Sequence, residues 1–240
     1  MLIHVTEDIP LSPTDRSVVR RGNRKAQTDR ALLYELLDSC LICHLGIIRD
    51  GAPIVLPTGY GRDGDTLYLH GSTGSASLVA SSQGAPVSVA VTRLDGIVYA
   101  RSAFHHSMNY LSAVVHGRAT TLTEPSAKLH ALRVLTEHIA PGSWENTRRP
   151  SRKELAATSV LALPLYDASV KLRSGAPNDE DEDVETHQGW AGVLPIQQHW
   201  GTPEPCPLLP DGTLVPDRVS NRPALSDRRQ ELDNRPPQTR

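Results

Sequence analysis

Short runs in which apolar residues alternate with polar ones fill the middle of the chain, and this two-residue period predicts β-strands. Asp-Gly pairs interrupt several of the runs. Both residues of such a pair readily take the positive φ angles that a tight hairpin turn requires. The sequence therefore predicts three hairpins, with turns at Asp50-Gly51, Asp63-Gly64 and Asp95-Gly96 and strands within residues 43–60, 66–71, 88–94 and 97–104.

Further apolar patterns predict the remaining elements. Residues 110–122 alternate like a strand, and residues 159–175 form one long predicted strand whose continuous apolar character indicates burial on both faces. Apolar residues three or four positions apart predict three helices. The first follows a capping Thr28 or Asp29, and the second covers 124–139 with Pro125 near its start. The third covers 152–157 and begins at the capping-box pair Ser151 and Glu154.

These elements, six or seven short antiparallel strands with few helices, indicate a mainly β fold. We expect a closed β-barrel whose ends are plugged by helices. Closing a sheet removes its unpaired edges, and a small barrel is filled by its own side chains. A ligand of any size is therefore expected outside the barrel wall or at an interface between subunits.

Composition and charge narrow the classes of function. The chain has 240 residues with 25 Lys plus Arg, 27 Asp plus Glu and a formal net charge of −2. This balance gives no sign of nucleic acid or an anionic membrane surface as a partner. The N-terminus does not resemble a signal peptide, and no run approaches the ~18 apolar residues of a membrane helix. We expect a soluble, cytoplasmic protein.

The cysteines give no disulfide framework, because only Cys40, Cys43 and Cys206 occur, an odd number that fits a reducing compartment. Cys40 and Cys43 have the C-x-x-C spacing that metal and redox sites use. No second pair accompanies them, so buried packing roles are favoured over a metal site.

The composition changes along the chain and predicts four regions. The acidic run 178–185 has the composition of a solvated loop, and the tail is rich in Pro, Asp and Arg, with disorder expected over 217–240. The regions are an N-terminal arm (1–27), a barrel domain (28–175), an acidic loop with a covering segment (176–200) and a Pro-rich tail (201–240).

Residues 69–77, LHGSTGSAS, are the first candidate for chemistry. Two glycines and several hydroxyl side chains lie between a predicted strand and a predicted short helix at 78–82. A phosphate group binds such loops through backbone N–H groups, hydroxyl donors and the positive end of a helix. An ordinary strand-to-helix turn has the same composition, so both interpretations stay open.

Two other segments have unusual residues for their predicted elements. Pro57 in VLPTGY (55–60) removes a donor from a strand, which predicts an edge, a bulge or a ligand contact. RSAFHHSMNY (101–110) contains the only Phe and two adjacent histidines. On a strand, Phe104 would face inward and His105 and His106 would face opposite sides, so they do not predict a shared metal. Each His is a candidate acid or base, or a satisfied polar residue.

Several ordered segments together resemble the pyridoxamine 5'-phosphate oxidase-like, FMN-binding split β-barrel superfamily. Within it, the chain is most similar to the branch of flavin-nucleotide-binding proteins related to nitroimidazole-resistance reductases. The resemblance covers roughly residues 18–195 and rests on VRRGNRKAQTDRALLYELLD, CHLGIIRDGAPIVLPTGYGRDGDTLYLHGSTGS, DGIVYARSAFHHSMNY, VVHGRA, ELAATSVLALPL and WAGVLP.

This resemblance implies a Greek-key-like split β-barrel that forms a homodimer with two FMN sites at the interface. It also implies the contacts of the cofactor. The flavin ring would lie along Val55, Leu56, Pro57 and Thr58, and Trp190 would cover a site in its own or the partner subunit. The phosphate would contact the loop residues His70, Gly71, Ser72, Thr73, Gly74 and Ser75. The neighbourhood of the flavin would be lined by His105, His106, Ser107 and Asn109.

Two positions depart from the family pattern. Relatives tend to carry a basic residue where this chain has Ala76 and an Arg where it has Leu111. A phosphate without a nearby cation loses charge-assisted hydrogen bonds of ~1.5–3 kcal/mol each. Arg101, Arg118 or the basic cluster 20–25 are candidate substitutes, and deazaflavin or haem are alternative ligands that the superfamily uses.

Two functions follow from the resemblance. The first is a flavin-dependent oxidoreductase acting on a small electrophile such as a nitro compound, a quinone or a pyridoxamine-phosphate-like metabolite. In it, His105 or His106 would protonate the reduced product. The second is a flavin- or haem-binding carrier or sensor without turnover, which the changes at Ala76 and Leu111 favour.

Overall fold

The structure is a computed structural model that describes residues 10–74, 84–186 and 189–223. Chain contacts divide it into two units, Met1–Pro195 and Ile196–Arg240. Among the described residues, all of the β structure lies in the first unit. Its strands are β1 (Ala26–Gln27), β2 (Ile42–Arg49), β3 (Ala52–Asp63), β4 (Thr66–Ser72), β5 (Pro86–Tyr99), β6 (Ser107–Arg118), β7 (Thr120–Thr121), β8 (Thr158–Pro164), β9 (Asp167–Arg173) and β10 (Gly192–Pro195).

The described helices are few and mostly short. None of them combines the length and apolar composition that crossing a bilayer requires. They are α1 (Arg30–Ser39), α2 (Pro125–Ile139), α3 (Ser143–Asn146), α4 (Arg152–Ala157), α5 (Asp181–Thr186) and α6 (Asp217–Ser220), with 3-10 turns at Asn23–Lys25 and Ala103–His105.

The strands form one antiparallel sheet in the order β1-β9-β6-β5-β2-β3-β4-β8-β7, with β10 added beside β5. The prediction of a mainly β, split-barrel fold is confirmed. The predicted closure is wrong, because among the described residues no ladder joins β1 to β7. The strand number also exceeds the predicted six or seven, since β1, β7 and β10 are too short to give a periodic signal.

A change of partner along β3 produces the split. Residues Ala52–Gly59 pair with β2, whereas Tyr60–Asp63 pair with β4. The Tyr60 hydroxyl donates to the carbonyl of Leu37 at 2.7 Å, which ties the strand to the end of α1 at the point of change. Leu33, Leu36 and Leu37 on the buried side of α1 are fully enclosed, so the core lies between this helix and the sheet.

Two of the three predicted Asp-Gly hairpins are confirmed. Asp50 and Gly51 have φ values of 52° and 77° between β2 and β3, and Gly64 has a φ of 52° between β3 and β4. The third is wrong. β5 continues through Asp95-Gly96, where its register against β6 shifts as in a β-bulge.

Packing explains why Gly96 lies in a bulge. A Cβ at Gly96 would lie 2.9 Å from the carbonyl oxygen of Leu194 and 3.1 Å from Val193 Cγ1, both on β10. The glycine therefore allows β10 to approach β5, and the neighbouring Asp95 carboxylate accepts from Arg93 Nε at 3.0 Å. An Asp-Gly pair can therefore form a β-bulge as well as a hairpin turn.

The other predictions have mixed outcomes. The three helices are confirmed, with Asp29 capping α1, Pro125 opening α2 and the Ser151–Glu154 capping box opening α4. The single strand over 159–175 is wrong. Leu165 and Tyr166 separate β8 from β9, and these two strands pair with β4 and β6 respectively.

Replacing Gly96→Ala should lower the free energy of unfolding by about 1–3 kcal/mol, because the added methyl overlaps the backbone of β10. Urea unfolding followed by circular dichroism measures the change. Gly201→Ala is the control, since a Cβ there meets nothing within 4 Å. Equal stability of the two variants would show that β10 does not pack closely on β5.

Candidate functional site

The first half of β3 has an uncovered edge. Because β4 pairs only with Tyr60–Asp63, no strand lies beside the opposite edge of residues 52–59 within the described part of the chain. Val55 is 64% exposed, and Pro57 is also exposed. Unpaired backbone groups on this edge are available to a ligand. Pro57 was predicted to mark an edge, a bulge or a ligand contact, and the structure shows an edge with regular pairing to β2.

The loop predicted to meet phosphate begins inside β4. His70, Gly71 and Ser72 still pair with β8, and the N–H of Thr73 donates to Ala157 at 3.0 Å. The N–H of Gly74 is also satisfied within the chain, by Ser72 Oγ at 3.2 Å. The Ser72 and Thr73 side chains are exposed. Ser75, Ala76 and the predicted helix at 78–82 lie outside the described residues.

The exposed strand and the loop flank the same opening. The pairing between β3 and β4 ends at Tyr60 and Leu69. Beyond this pair the two strands diverge, because residues 52–59 of β3 pair with β2 and residues 70–72 of β4 pair with β8. Residues Val55–Thr58 and His70–Gly74 therefore lie on the two sides of the split. We call these two segments together the strand half-site.

The segment 101–110 differs from its predicted strand. Ala103–His105 form a 3-10 turn, and β6 begins only at Ser107. The predicted inward position of Phe104 is wrong, since its side chain is 91% exposed. His105 and His106 therefore do not alternate across a strand, although they do have different partners.

An aromatic cluster forms where β10 meets the end of β5, and it consists of Tyr99, His106 and Trp190. The Tyr99 ring lies 5.9 Å from that of His106 and 5.8 Å from that of Trp190, centroid to centroid. Trp190 is 70% exposed. Nothing in the sequence selected Tyr99, because its role depends on the pairing of Gly192 with it.

A backbone hydrogen bond selects the tautomer of the neutral His106 ring. The N–H of Ala100 donates to His106 Nδ1 at 3.2 Å. A ring nitrogen that accepts has no proton, so the neutral imidazole carries its proton on Nε2. His106 therefore presents an N–H donor to the exposed side of the aromatic cluster.

The acidic segment 178–185 is predicted as a solvated loop, and most of its residues are exposed, although Asp181–Thr186 form α5 and Asp179 binds the 101–105 turn. The side chain of Asp179 is only 3% exposed. Its carboxylate accepts hydrogen bonds from Arg101 Nη1 at 2.7 Å and from the Arg101 backbone N–H at 2.9 Å. His105 Nε2 lies 3.4 Å from Glu180 Oε1. Since Arg101 is held by Asp179, the structure gives no support to it as a substitute phosphate ligand.

Other predicted residues are engaged in the fold. Asn109 is buried, with Nδ2 donating to Gly175 at 3.2 Å and Oδ1 accepting from Arg173. Ser107 is half-buried opposite Val98. Leu111 is fully buried, so its side chain lies in the core and not at an exposed anion site.

The aromatic cluster is remote from the strand half-site within one chain. Pro57 pairs with His44 and His44 with Ala90, which places the strand half-site level with Ala90 of β5. Tyr99 is nine residues further along the strand, and at about 3.3 Å per residue this is roughly 30 Å. The predicted site residues therefore form two half-sites.

A separate cleft of about 550 Å³ contains none of the predicted site residues. It lies between the β3–β4 turn and the start of α2, where His130 Nε2 is 2.8 Å from Asp63 Oδ2. Its lining comprises Asp63, Gly64, Asp65, Thr66, Tyr68, Leu122, Ser126, Ala127, His130 and Ala162.

We expect Asp179→Asn to lower Tm at pH 7. The backbone N–H and the guanidinium of Arg101 hold the pKa of Asp179 below its usual range. A carboxyl with a depressed pKa in the folded state stabilises above its unfolded pKa of about 3.9, and this contribution is lost as the pH falls through the folded pKa. The Tm difference from wild type should therefore narrow below about pH 4. Asp211→Asn, in the tail, is the control, and an unchanged Tm for Asp179→Asn at pH 7 would contradict a stabilising role of the Asp179–Arg101 contact.

The chain matches known proteins over most of its length. The family model described as pyridoxamine 5'-phosphate oxidase matches residues 29–172. No curated protein sequence matches significantly. Among solved structures, a putative 5-nitroimidazole antibiotic resistance protein from Bacteroides thetaiotaomicron is 20% identical over 61% of this chain and 85% of its own, with a TM-score of 0.53, which supports the fold.

Two solved structures are much more similar. The FAD and heme binding protein from Mycobacterium smegmatis is 42% identical, with a TM-score of 0.80 over 83% of this chain and 98% of its own. The flavocytochrome Anf3 from Azotobacter vinelandii is 34% identical, with a TM-score of 0.83 over 88% of this chain and 98% of its own. With its fold, the family match over residues 29–172 and these relatives, the chain belongs to the pyridoxamine 5'-phosphate oxidase-like family of flavin-binding split β-barrel proteins.

Proposed function

We propose that this protein is a redox protein that binds a flavin and a haem, with each flavin held between two copies of the chain. The observation that carries the proposal is its similarity, at 42% and 34% identity, to a FAD and heme binding protein and to a flavocytochrome. The first relative favours FAD over the FMN that the sequence resemblance implies, while the fold is compatible with either.

The strand half-site fits a flavin. Its uncovered edge at Val55–Thr58 offers backbone groups and an apolar surface to the ring, and the exposed hydroxyls of Ser72 and Thr73 are donors for phosphate oxygens. The bound flavin would supply reversible uptake and release of electrons. The chain's own part is to position the ring and to hold the phosphates.

Hydrogen bonds indicate which histidines can hold haem iron. An imidazole that would hold haem iron needs a ring nitrogen with a free lone pair, commonly Nε2. The Nε2 atoms of His105, His130 and His138 face carboxylate or carbonyl oxygens, so they carry the proton. His106 also carries its proton on Nε2, as the contact with Ala100 shows.

Among the other described histidines, His44, His70 and His116 have an Nε2 atom without such a partner, and His44 and His70 are the candidates for the haem ligand because they lie at the strand half-site. His44 and His70 are both exposed, and neither ring makes a hydrogen bond to another described residue. Partial desolvation lowers the pKa of His70, which keeps its imidazole neutral and able to ligate. His44 lies on β2 and pairs with Pro57 of the strand half-site.

The purified protein should show a flavin spectrum and a Soret band, and mass spectrometry of the released cofactors will distinguish FAD, FMN and deazaflavin. The double variant His44→Ala/His70→Ala should lose the Soret band, and the single variants will identify the ligand. His130→Ala, in the separate cleft and with its Nε2 facing Asp63, is the control and should retain haem. A Soret band that survives the double variant would overturn the assignment, and wild-type protein that takes up neither cofactor would overturn the proposed function.

The distance between the two half-sites supports a homodimer. Within one chain, Trp190 and His106 lie roughly 30 Å along β5 from the strand half-site. A second copy can supply its aromatic cluster to this chain's strand half-site. The exposed side chains of Ile42, Ile48 and Val55 form an apolar surface around the strand half-site that such a partner would cover.

Val55→Glu should convert the dimer to a monomer and weaken flavin binding at least tenfold, because a charge would be placed in the buried interface. Sedimentation velocity and fluorescence titration with flavin measure these effects. Val184→Glu, at a similarly exposed apolar position on α5, is the matched control. A flavin-loaded monomer in wild-type protein would contradict the proposal.

A second candidate function is flavin-dependent reduction of a small electrophile such as a nitro compound or a quinone. The outward Nε2–H of His106 favours it, because this donor lies beside two aromatic rings that can stack on a flat substrate. Bleaching of the flavin by reduced nicotinamide and its return with a nitro compound would support turnover. A flavin that fails to reoxidise with either electrophile would eliminate it.

A further inference from the structure

The separate cleft between the β3–β4 turn and the start of α2 has an apolar wall. Its volume of about 550 Å³ is within the range of small-molecule sites. The wall consists of the Tyr68 ring with Leu122, Ala127 and Ala162. The rings of Tyr68 and His130 lie edge to face, with 6.2 Å between their centroids. The cleft therefore offers an apolar and aromatic surface to the body of a small ligand.

Polar side chains of the same lining have atoms that the described chain leaves without a partner. Asp63 accepts from His130 Nε2 through Oδ2 at 2.8 Å, and its Oδ1 makes no hydrogen bond to another described residue. Because Nε2 carries the proton, the neutral His130 ring has an acceptor lone pair on Nδ1. The Tyr68 hydroxyl also makes no hydrogen bond within the described residues. A carboxylate, an imidazole nitrogen and a hydroxyl are thus available as acceptors.

The lining has negative charge without a matching cation. Asp65 is paired with the buried Arg30, whose Nη2 lies 3.4 Å from Asp65 Oδ1. Arg62, which precedes Asp63 in the chain, is held by Asp38 at 2.6 Å. No Lys or Arg is among the described residues that line the cleft. The charge of Asp63 is therefore met only by the His130 imidazole.

These features distinguish between classes of ligand. A metal ion is not favoured, because no three His, Cys, Asp or Glu of the described residues are grouped to hold one. The start of α2 would attract an anion, but Glu124 at its N-cap already places a carboxylate there. The N–H groups of an organic ammonium match the acceptors on Asp63, His130 and Tyr68, and an apolar body matches the wall.

We propose that this cleft binds a small primary amine with an apolar body, and that Asp63 recognises the ammonium group. His130 positions the Asp63 carboxylate through its Nε2–H and accepts from the ammonium through Nδ1. The lining contains no residue of the strand half-site or the aromatic cluster. The inference therefore does not rest on the binding of flavin or haem.

Titration with benzylamine tests the site, and benzoate, which is of similar size and opposite charge, is the control ligand. NMR of the ¹⁵N-labelled full-length protein follows the backbone amides. Benzylamine should cause saturable shifts around residues 63–68 and 126–130, and benzoate should bind at least about tenfold more weakly. Equal affinity for benzoate, shifts centred elsewhere, or no saturation by wild-type protein would overturn the proposal.

Two variants test the roles of the lining residues. Asp63→Asn keeps the shape of the side chain and removes its charge, so it should weaken benzylamine binding at least about tenfold. Asp50→Asn is the matched control, because Asp50 also precedes a glycine in a hairpin turn and its side chain is 93% exposed. Ala127→Phe should prevent binding by filling the cleft. With the Tm of each variant unchanged, wild-type affinity in either Asp63→Asn or Ala127→Phe would overturn the site.

Discussion

The change of partner on β3 at Gly59–Tyr60 is the constraint on which the remaining structure depends. Residues of β3 before that point pair with β2, and residues after it pair with β4. The second half is held firmly, since the Tyr60 hydroxyl binds the end of α1 and a Cβ on Gly61 would lie 3.0 Å from Leu135 Cα of α2. The first half is consequently displayed as a fixed strand with one unpaired edge, which is a preorganised surface for a flat ligand.

The same arrangement separates the polar and aromatic parts of the candidate site. β5 runs past the strand half-site and continues for nine more residues from Ala90 to Tyr99, where β10 and the 3-10 turn carry Trp190 and His106. The Asp95-Gly96 bulge permits this extension, because it keeps β5 in the sheet while β10 packs against Gly96. A strand that turned back at Asp95 would not carry these residues beyond the sheet.

The sequence predicted correctly those parts of the fold that depend on interactions between residues close together in the chain. The caps at Asp29 and Ser151 and the turns at Asp50-Gly51 and Gly64 follow from hydrogen bonds and φ angles within a few residues. Asp95-Gly96 was predicted wrongly, because the approach of β10 from about 100 residues away selects a bulge over a turn.

The candidate site was predictable only in part for the same reason. Motifs identified the strand half-site, whereas Tyr99 and Asp179 acquire their contacts through distant pairing with Gly192 and Arg101. The separation of the two half-sites is a property of strand register, which no single motif contains. The His pair was likewise located by the sequence, but its 3-10 turn and its tautomer depend on the backbone at Ala100.

The separation of the two half-sites has a genetic consequence. In a dimer whose every site combines one strand half-site with the partner's aromatic cluster, a chain damaged at Thr58 and a chain damaged at Trp190 are each inactive as homodimers. Mixed dimers of the two would contain one site with both defects and one site with none. Co-expression of two null alleles would then restore up to half of the activity per mixed dimer, so recessive lesions in this gene would sort into two complementing groups according to the half-site they damage.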